Sequence, residues 1–272
     1  MIVDYHTHSG LCRHAHGNVE EYILRAIKLG FDEVGCSDHA PLPGNYDERH
    51  RMTLEEYYSL YAPAVSSLAE RYRDRIRIKR GIECDYLEWA TDWTAKFVRE
   101  NDFDFVIGSV HFVGPLGEEK PLFGREYGEA ELESLYEGYF QAILDSATSG
   151  LFDVVAHLDL IKKFGSFSSK RVDELVGEAM NRIKRSDLCI EINTSGLRRP
   201  EKDTYPGEKI LALVRELHVP LTLGSDAHKP EDVGEGFERA VDLVETYGGG
   251  RIAVFDKRQR SEVKVSKIRR VA

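Results

Sequence analysis

The chain has 272 residues, of which 42% are hydrophobic and 31% are charged, a composition typical of a water-soluble globular protein. Its formal net charge of −10 argues against a general nucleic-acid-binding protein, which needs a basic surface. No apolar run approaches the roughly 20 residues of a membrane-spanning helix, and the N-terminus lacks a basic segment followed by an apolar one. We therefore expect a cytoplasmic protein without a membrane or nucleic-acid partner.

The chain has four cysteines, Cys12, Cys36, Cys84 and Cys189, and no two of them form a C-x-x-C pair. Cys36 and Cys189 lie inside apolar strand-like runs, where a small buried thiol is the ordinary interpretation. We expect the cysteines to stay reduced, as cytosolic cysteines do. Because Cys12 and Cys84 flank candidate metal ligands, contact between one of them and a metal is an open alternative.

Short apolar segments alternate along the chain with amphipathic segments of helical period. Several strand candidates are continuously apolar, as expected for parallel strands that helices cover on the outside. The strand candidates are 2–6, 33–37, 76–83, 105–110, 154–157, 188–193 and 221–225, and the helix candidates are 19–29, 54–73, 91–100, 129–149, 172–185, 207–217 and 237–247. Pro63 predicts a kink or a split in the second helical segment.

Strands that alternate with helices in this way predict either a closed α/β barrel or a doubly wound sheet. Polar residues of ligand type follow nearly every strand candidate, whereas an open sheet concentrates its site at one switch point. Only a closed barrel brings the C-terminal ends of all its strands to one mouth. The sequence therefore predicts one domain over residues 1–272, a (β/α)7 barrel with its active site at the C-terminal ends of the strands.

Most of the histidines lie where an apolar segment ends, each with a polar or acidic neighbour close by in sequence. His6 and His8 are two positions apart, so both side chains point to one face of an extended strand. Glu83 ends another apolar segment in the same way. Imidazole and carboxylate groups suit zinc, iron or manganese, and the set is large enough for two or three ions. The candidate ligands are His6, His8, His14, His39, Glu83, His111, His157, Asp226 and His228.

Aspartates next to these histidines are candidates for orienting them. Asp4, Asp38 and Asp159 each lie within two positions of a candidate ligand. A metal-bound imidazole usually donates its other N–H to a carboxylate or carbonyl, which fixes the tautomer. We expect Asp4 and Asp38 to orient His6 and His39, while Asp159 either orients a ligand, holds substrate or protonates a leaving group.

A cluster of divalent ions without an obvious nucleophilic triad indicates metal-assisted hydrolysis. Ions about 4 Å apart lower the pKa of a shared water and bind both the entering and the leaving oxygen of an in-line displacement. We expect the metal-bound hydroxide to attack phosphorus, with Glu83, Asp226 and Asp159 as catalytic residues. Asp226, Asp159 or a metal-bound water then protonates the leaving group.

Cations at the predicted mouth are candidates for binding phosphate. Lys162 and Lys163 follow the fifth strand candidate, and Arg198 and Arg199 follow the sixth. Arginine favours bidentate contacts with phosphate. We expect Arg198, Arg199 and Lys162 to bind the phosphate of a substrate, with solvated loop charges as the alternative.

These motifs, in this order, resemble the polymerase-and-histidinol-phosphatase (PHP) superfamily from residue 2 to about residue 230, and within it the histidinol-phosphate phosphatases. The resemblance rests on HTH at 6–8, CRHA at 12–15, SDHAP at 37–41, GIE at 81–83, IGSVH at 107–111, HLDLIKKFG at 157–165, NTSGLRRP at 193–200 and GSDAH at 224–228. It implies a distorted seven-stranded barrel that hydrolyses L-histidinol phosphate in histidine biosynthesis.

The resemblance also implies three divalent metal ions, drawn from zinc, iron and manganese, with Glu83 bridging two of them. His16 is an alternative to His14, although the spacing from His8 favours His14. The implied groups are His6, His8, Glu83 and Asp226 for the first ion, Glu83, His111 and His157 for the second, and His14, His39 and His228 for the third.

Other functions remain open at the level of sequence. They are the hydrolysis of another small phosphomonoester or phosphotyrosine, a phosphodiesterase or exonuclease activity, and a non-enzymatic metal-stabilised scaffold. The acidic net charge disfavours the nuclease. The full set of candidate ligands and the cations at the mouth disfavour the scaffold. The preferred function is a phosphomonoesterase for L-histidinol phosphate, of unknown oligomeric state.

Overall fold

A computed structural model describes residues 1–114, 118–124 and 126–267 of the chain. Its strands are β1 Val3–Asp4, β2 Glu33–Cys36, β3 Arg77–Asp85, β4 Phe105–Ser109, β5 Phe112–Val113, β6 Lys120–Pro121, β7 Val154–Val155, β8 Cys189–Asn193, β9 Leu221–Gly224, β10 Arg251–Asp256 and β11 Gln259–Lys264. Seven of them form one parallel sheet in the order β1–β2–β3–β4–β7–β8–β9.

The two ends of this sheet meet. Tyr5 N donates a hydrogen bond to Leu223 O at 3.0 Å, and a parallel bridge joins Thr7 and Ala227 just beyond β1 and β9. The sheet is therefore a nearly closed barrel of seven parallel strands, and the predicted (β/α)7 architecture is confirmed.

Helical segments connect consecutive barrel strands, as right-handed parallel crossovers require. They are α1 Val19–Leu29, α2 Leu54–Glu56, α3 Ala62–Arg71, α4 Thr91–Glu100, α5 Glu129–Thr148, α6 Lys170–Arg185, α7 Glu208–Leu217 and α8 Phe237–Tyr247. A π-helical turn, Tyr57–Tyr61, separates α2 from α3, which places Pro63 in the first turn of α3. Glu56, Tyr57, Tyr61 and Ala62 all keep right-handed helical φ and ψ, so the segment is one continuous helix. The interruption expected at Pro63 is limited to the π-helical turn that precedes it. None of the described helices is long and apolar enough to cross a membrane.

Aromatic rings fill the barrel near the N-terminal ends of its strands. Tyr5 and Phe105 stack with their ring centroids 4.7 Å apart, and both side chains are buried. A Cβ atom at Gly81 would lie 2.2 Å from Phe105 Cζ, so only glycine leaves room for this ring. Because the apolar layer occupies this end, the polar residues that follow the strands collect at the opposite end of the barrel.

The hairpin of β10 and β11 covers the N-terminal end of the barrel, and the sequence patterns did not predict it. Phe255 is buried and lies with its ring centroid 6.1 Å from that of Tyr5 and 6.2 Å from that of Phe105. Arg258, in the hairpin turn, forms an ion pair with Asp153 at 2.8 Å. The hairpin therefore leaves the mouth at the C-terminal ends of the strands as the open end.

Candidate metal centre

The carboxylate of Glu83 lies at the centre of the mouth, within 4 Å of imidazole nitrogens from five histidines. Glu83 lies near the end of β3 and is 1% exposed. The nitrogen-to-oxygen distances are 2.8 Å for His39, 3.2 Å for His157, 3.4 Å for His6, 3.7 Å for His8 and 3.8 Å for His111. Together with Glu83, these histidines come from the ends of five strands, β1, β2, β3, β4 and β7, and the barrel brings them to one point.

Asp226 supplies a second carboxylate to the same cluster. Its Oδ1 lies 3.1 Å from His8 Nε2 and 3.4 Å from His228 Nδ1. The backbone of Asp226 has a φ of 52°, in the left-handed region that non-glycine residues rarely adopt. Arg198 holds this conformation, because its guanidinium donates to Ser225 O at 2.7 Å and to Asp226 O at 3.2 Å.

His14 joins the cluster from the 3₁₀ turn that follows β1. Its ring centroid lies 4.9 Å from that of His228 and 5.3 Å from that of His39. His14 Nδ1 donates to Cys12 O at 2.7 Å, which leaves Nε2 free to bind a metal. His16 is exposed at the edge of the same cavity. The structure thus brings all nine candidate ligands together, with His14 closer to the other imidazoles.

Buried polar atoms without hydrogen-bond partners test whether this cluster fits metal ions. Such atoms include His6 Nε2, His39 Nδ1 and Glu83 Oε2: both nitrogens approach Glu83 Oε2, at 3.4 and 2.8 Å, without the geometry of a hydrogen bond. Leaving a buried polar group without a partner costs about 1–3 kcal/mol of folding free energy. Coordination to divalent ions would give these nitrogen and oxygen atoms a partner. Donor atoms of His6, His8 and Glu83 lie within 4.8 Å of one another, as do those of His8, His39 and His228. The imidazole and carboxylate donors therefore fit divalent metals.

The ionisation of two members of the cluster, Glu83 and His228, suits metal binding. Burial raises the pKa of Glu83, but the neighbouring His39 and His6 outweigh this effect and hold the pKa well below its ordinary value. Burial and the nearby charge of His8 lower the pKa of His228 to about 3. Ionised carboxylates and neutral imidazoles are the forms that bind metals, and Glu83 and His228 have these forms at neutral pH.

Carboxylates orient several of the imidazoles. Two of these carboxylates belong to residues for which the sequence patterns did not predict this role. His6 Nδ1 lies 2.9 Å from Glu191, and His111 Nδ1 lies 3.0 Å from Asp85. Glu191 had a signal in the sequence, since it interrupts the apolar strand β8 and is 1% exposed. A charged residue inside a buried strand needs a partner, and the partner of Glu191 is a candidate ligand.

Asp38 and Asp4 differ from their expected roles. Asp38 was expected to orient the His39 ring, but within that residue only the backbone N–H donates a hydrogen bond to it. The imidazole that it approaches is His8, whose Nδ1 lies 3.4 Å from Asp38 Oδ1. Asp4 contacts no imidazole: it accepts backbone N–H groups from Ser225 at 2.9 Å and Gly234 at 3.1 Å. The assignment of Asp4 to an imidazole was wrong, because its carboxylate points along the barrel wall and fixes the loop after β9.

We expect Glu191→Gln to lower the affinity of the cluster for its metal by about 10- to 100-fold, the usual effect of losing a carboxylate that orients a ligand. Glutamine keeps the shape of the side chain but removes the charge that fixes the His6 tautomer. Metal content measured during competition with a chelator tests this expectation. Glu231→Gln, an exposed substitution beyond the mouth, is the control. Equal metal affinity in Glu191→Gln and the wild type would contradict the role of Glu191.

A cavity of about 670 Å³ lies over the cluster, and both cationic and acidic side chains line its walls, with Asp47 beside Arg51 and Asp232 beside Arg198. The cationic side chains that line it are Arg51, Lys163, Arg198, Arg199 and Lys229. Phe112, Phe123 and Tyr205 form apolar parts of the wall. A separate cavity of about 780 Å³, between α3, α4 and the hairpin turn, contains none of the candidate ligands.

Lys162 and Asp159 do not line the cavity over the cluster, contrary to their expected roles. Lys162 Nζ is bound by Asp203 at 2.7 Å, Thr204 O at 2.7 Å and Asp159 at 3.1 Å. Asp159 also accepts from Gly207 N at 3.0 Å. The 3₁₀ turn Leu160–Phe164 points consecutive side chains in different directions, so Lys163 faces the cavity while Lys162 holds the loop before α7. These contacts favour a role for Lys162 and Asp159 in holding this loop instead of the expected contact with substrate.

His50 lies at the mouth although it is not among the candidate ligands. Its ring centroid is 6.0 Å from that of His14, and it pairs with Asp47 at 2.7 Å. The same aspartate binds Arg51 at 3.1 Å, and Arg51 also pairs with Asp85 at 2.9 Å. The segment between β2 and α2 is thereby tied to the carboxylate that orients His111.

Known proteins are similar to this chain in sequence and fold. The PHP domain profile matches residues 4–195, and the PHP-associated profile matches residues 207–242. The chain is 36% identical over 248 residues to a probable histidinol-phosphatase of Deinococcus radiodurans, covering 91% of this chain and 94% of that protein. It is 28% identical to the histidinol-phosphatase of Bacillus subtilis, covering 86% and 96%.

Among solved structures, a putative histidinol phosphatase of Listeria monocytogenes superposes with a TM-score of 0.78 at 28% identity, covering 87% of this chain and 99% of that one. A histidinol phosphate phosphatase of Lactococcus lactis, solved with zinc, L-histidinol and phosphate, superposes with a TM-score of 0.76. The second match covers 96% of this chain and 98% of that one, but its sequence identity is 22%, so it supports the fold alone. The chain belongs to the PHP domain family.

Proposed function

We propose that the protein is a metal-dependent phosphomonoesterase that hydrolyses L-histidinol phosphate to L-histidinol and phosphate, in histidine biosynthesis. The observation that carries the proposal is a buried cluster of imidazoles and carboxylates below a cavity with cationic side chains in its walls. The relatives named histidinol-phosphatase, which align over most of the chain, support the choice of substrate. A cytoplasmic location, expected from the sequence, is part of the same proposal.

We assign the nine candidate ligands to three divalent ions, as the sequence resemblance implies. Glu83 is central enough to bridge two ions, since imidazoles surround both of its carboxylate oxygens. When bound, such ions supply a hydroxide nucleophile at neutral pH and offset negative charge on the phosphoryl group. Zinc, iron and manganese all fit a donor set of imidazole and carboxylate.

The residues of the cavity wall have different proposed roles in binding the substrate and supporting the metal ligands. Arg199 and Lys163 are positioned to bind the phosphoryl oxygens, and Arg198 holds the backbone of Asp226. Burial and the nearby charge of Arg199 lower the pKa of Lys163. A phosphate dianion would offset the repulsion between these two cations. The aromatic side chains Phe112 and Phe123 offer a surface for the imidazole ring of the substrate.

Phosphate release from a panel of substrates, on protein whose metals have been quantified, tests the proposed function. We expect kcat/KM for L-histidinol phosphate to exceed that for p-nitrophenyl phosphate and phosphotyrosine by at least about 10²-fold, because only the natural leaving group uses the cavity wall. Equal values for all monoesters would remove the substrate assignment. Preferred cleavage of a dinucleotide would replace it with a phosphodiesterase activity.

A further inference from the structure

Cys12 is fully buried and yet lies outside the hydrophobic core. Its exposed fraction is 0%, but it belongs to neither cluster of buried apolar residues formed by the described part of the chain. Cys36, Cys84 and Cys189 all belong to the main cluster. A buried cysteine normally behaves as a small apolar residue, so the position of Cys12 needs another explanation.

The turn after β1 places Cys12 beside the imidazoles. Gly10–Cys12 form a 3₁₀ turn, and Arg13 has a φ of 71°, in the left-handed region. This reversal brings Cys12 Sγ within 4.8 Å of a nitrogen of His14 and a nitrogen of His228. Because His14 Nδ1 donates to Cys12 O and His228 Nδ1 donates to Asp226 O, both rings keep Nε2 for a metal.

A second observation, an unpaired buried nitrogen beside the thiol, points to a ligand-binding site in this region. Cys12 also forms a compact group with His8 and Asp38, whose donor atoms all lie within 4.8 Å of one another. His8 is 2% exposed, and its Nδ1 has no hydrogen-bond partner although it lies 3.4 Å from Asp38. The thiol is thus surrounded by donor atoms, one of them buried and unpaired, rather than by methyl groups.

We propose that Cys12 Sγ is a metal ligand, bound as a thiolate at the ion held by His14 and His228. On binding, the S–H bond breaks, its proton leaves to solvent, and a sulfur–metal bond forms. The expected imidazole ligands of this ion, His14, His39 and His228, carry no charge, so the thiolate adds the negative charge that the site otherwise lacks. Thiolate with imidazole selects zinc over manganese. This inference rests on the metal cluster of the proposed function, but not on its substrate.

Cobalt titration of the metal-free protein tests the proposal with a readout that does not depend on activity. Bound Co²⁺ shows visible d–d bands with any ligand set, whereas a near-ultraviolet charge-transfer band requires a thiolate ligand. We expect the wild type to show both and Cys12→Ser to keep the d–d bands while losing the charge-transfer band. Cys36→Ser, in the core, should retain both. Zinc affinity in Cys12→Ser should fall at least about 10-fold.

Two results would overturn the inference. The first is a wild type with d–d bands and no charge-transfer band, which would leave the metal cluster intact and remove the thiolate. The second is a charge-transfer band that survives in Cys12→Ser. If that variant does not fold, X-ray absorption at the zinc edge of the wild type decides, since a thiolate ligand adds a sulfur shell at about 2.3 Å. Failure to bind cobalt at all would overturn both the cluster and the thiolate.

Discussion

Replacing Glu83 with glutamine is expected to lower kcat by at least about 10³-fold and to reduce the metal content of the purified protein. The carboxylate lies within 4 Å of nitrogens from five imidazoles, and glutamine keeps its shape while removing its charge. Divalent ions contribute several kcal/mol of charge stabilisation to a phosphoryl transition state, and each 1.36 kcal/mol corresponds to about tenfold in rate. Steady-state phosphate release and metal analysis measure both effects.

Glu88→Gln is the matched control for this prediction, because Glu88 is exposed beyond the end of the same strand. It should keep the rate and the metal content of the wild type. Both variants should retain the circular dichroism spectrum of the wild type, since the barrel is held by its apolar core. A Glu83→Gln protein with full activity and full metal content would refute the metal-cluster mechanism.

Replacing Arg199 with glutamine is expected to lower kcat/KM for L-histidinol phosphate by about 10- to 100-fold without loss of metal. Arg199 is exposed in the cavity wall next to Lys163. A hydrogen bond to a charged group contributes about 1.5–3 kcal/mol, which sets the size of the effect. The inhibition constant of inorganic phosphate should rise by a similar factor, because phosphate itself is the group that Arg199 binds.

Arg198→Gln provides the contrast to Arg199→Gln. The guanidinium of Arg198 donates to Ser225 O and Asp226 O, and thereby supports the left-handed backbone of Asp226. Its loss should lower metal content as well as activity, whereas Arg199→Gln lowers phosphate affinity alone. If both variants lose metal equally, Arg199 has a structural role and the assignment of phosphate binding to it is wrong.

The order of the barrel elements was predictable because each one carries a local signal. Helix α1 begins at Asn18, which caps the N–H groups of Glu20 and Glu21, and it ends at Gly30 with a φ of 70°. Several of the barrel strands are continuous apolar runs, and Pro63 follows the π-helical turn that precedes α3. The β10–β11 hairpin has a weaker signal, since its apolar run is short and half of it lies in an exposed strand.

The roles of the polar residues around the ligands were less predictable. Asp4 was expected to orient His6, and the structure gives that position to Glu191, which is 185 residues away in sequence. Lys162 and Lys163 are adjacent in sequence, but one binds Asp203 and the other faces the cavity. Sequence proximity cannot distinguish these cases, because a side chain reaches its partner according to the direction in which its turn points it.

The sequence by itself determined that the nine candidate ligands lie at the mouth. Parallel strands of a closed barrel end on the same side, so polar residues that follow the apolar runs must collect there. Only the tertiary structure decided which of them contact one another. It placed Glu83 among the imidazoles, gave His6 and His111 their carboxylate partners and removed Asp159 from the cavity. Position along a strand sets the end of the barrel at which a residue lies, whereas contact depends on side-chain direction and on residues far away in the chain.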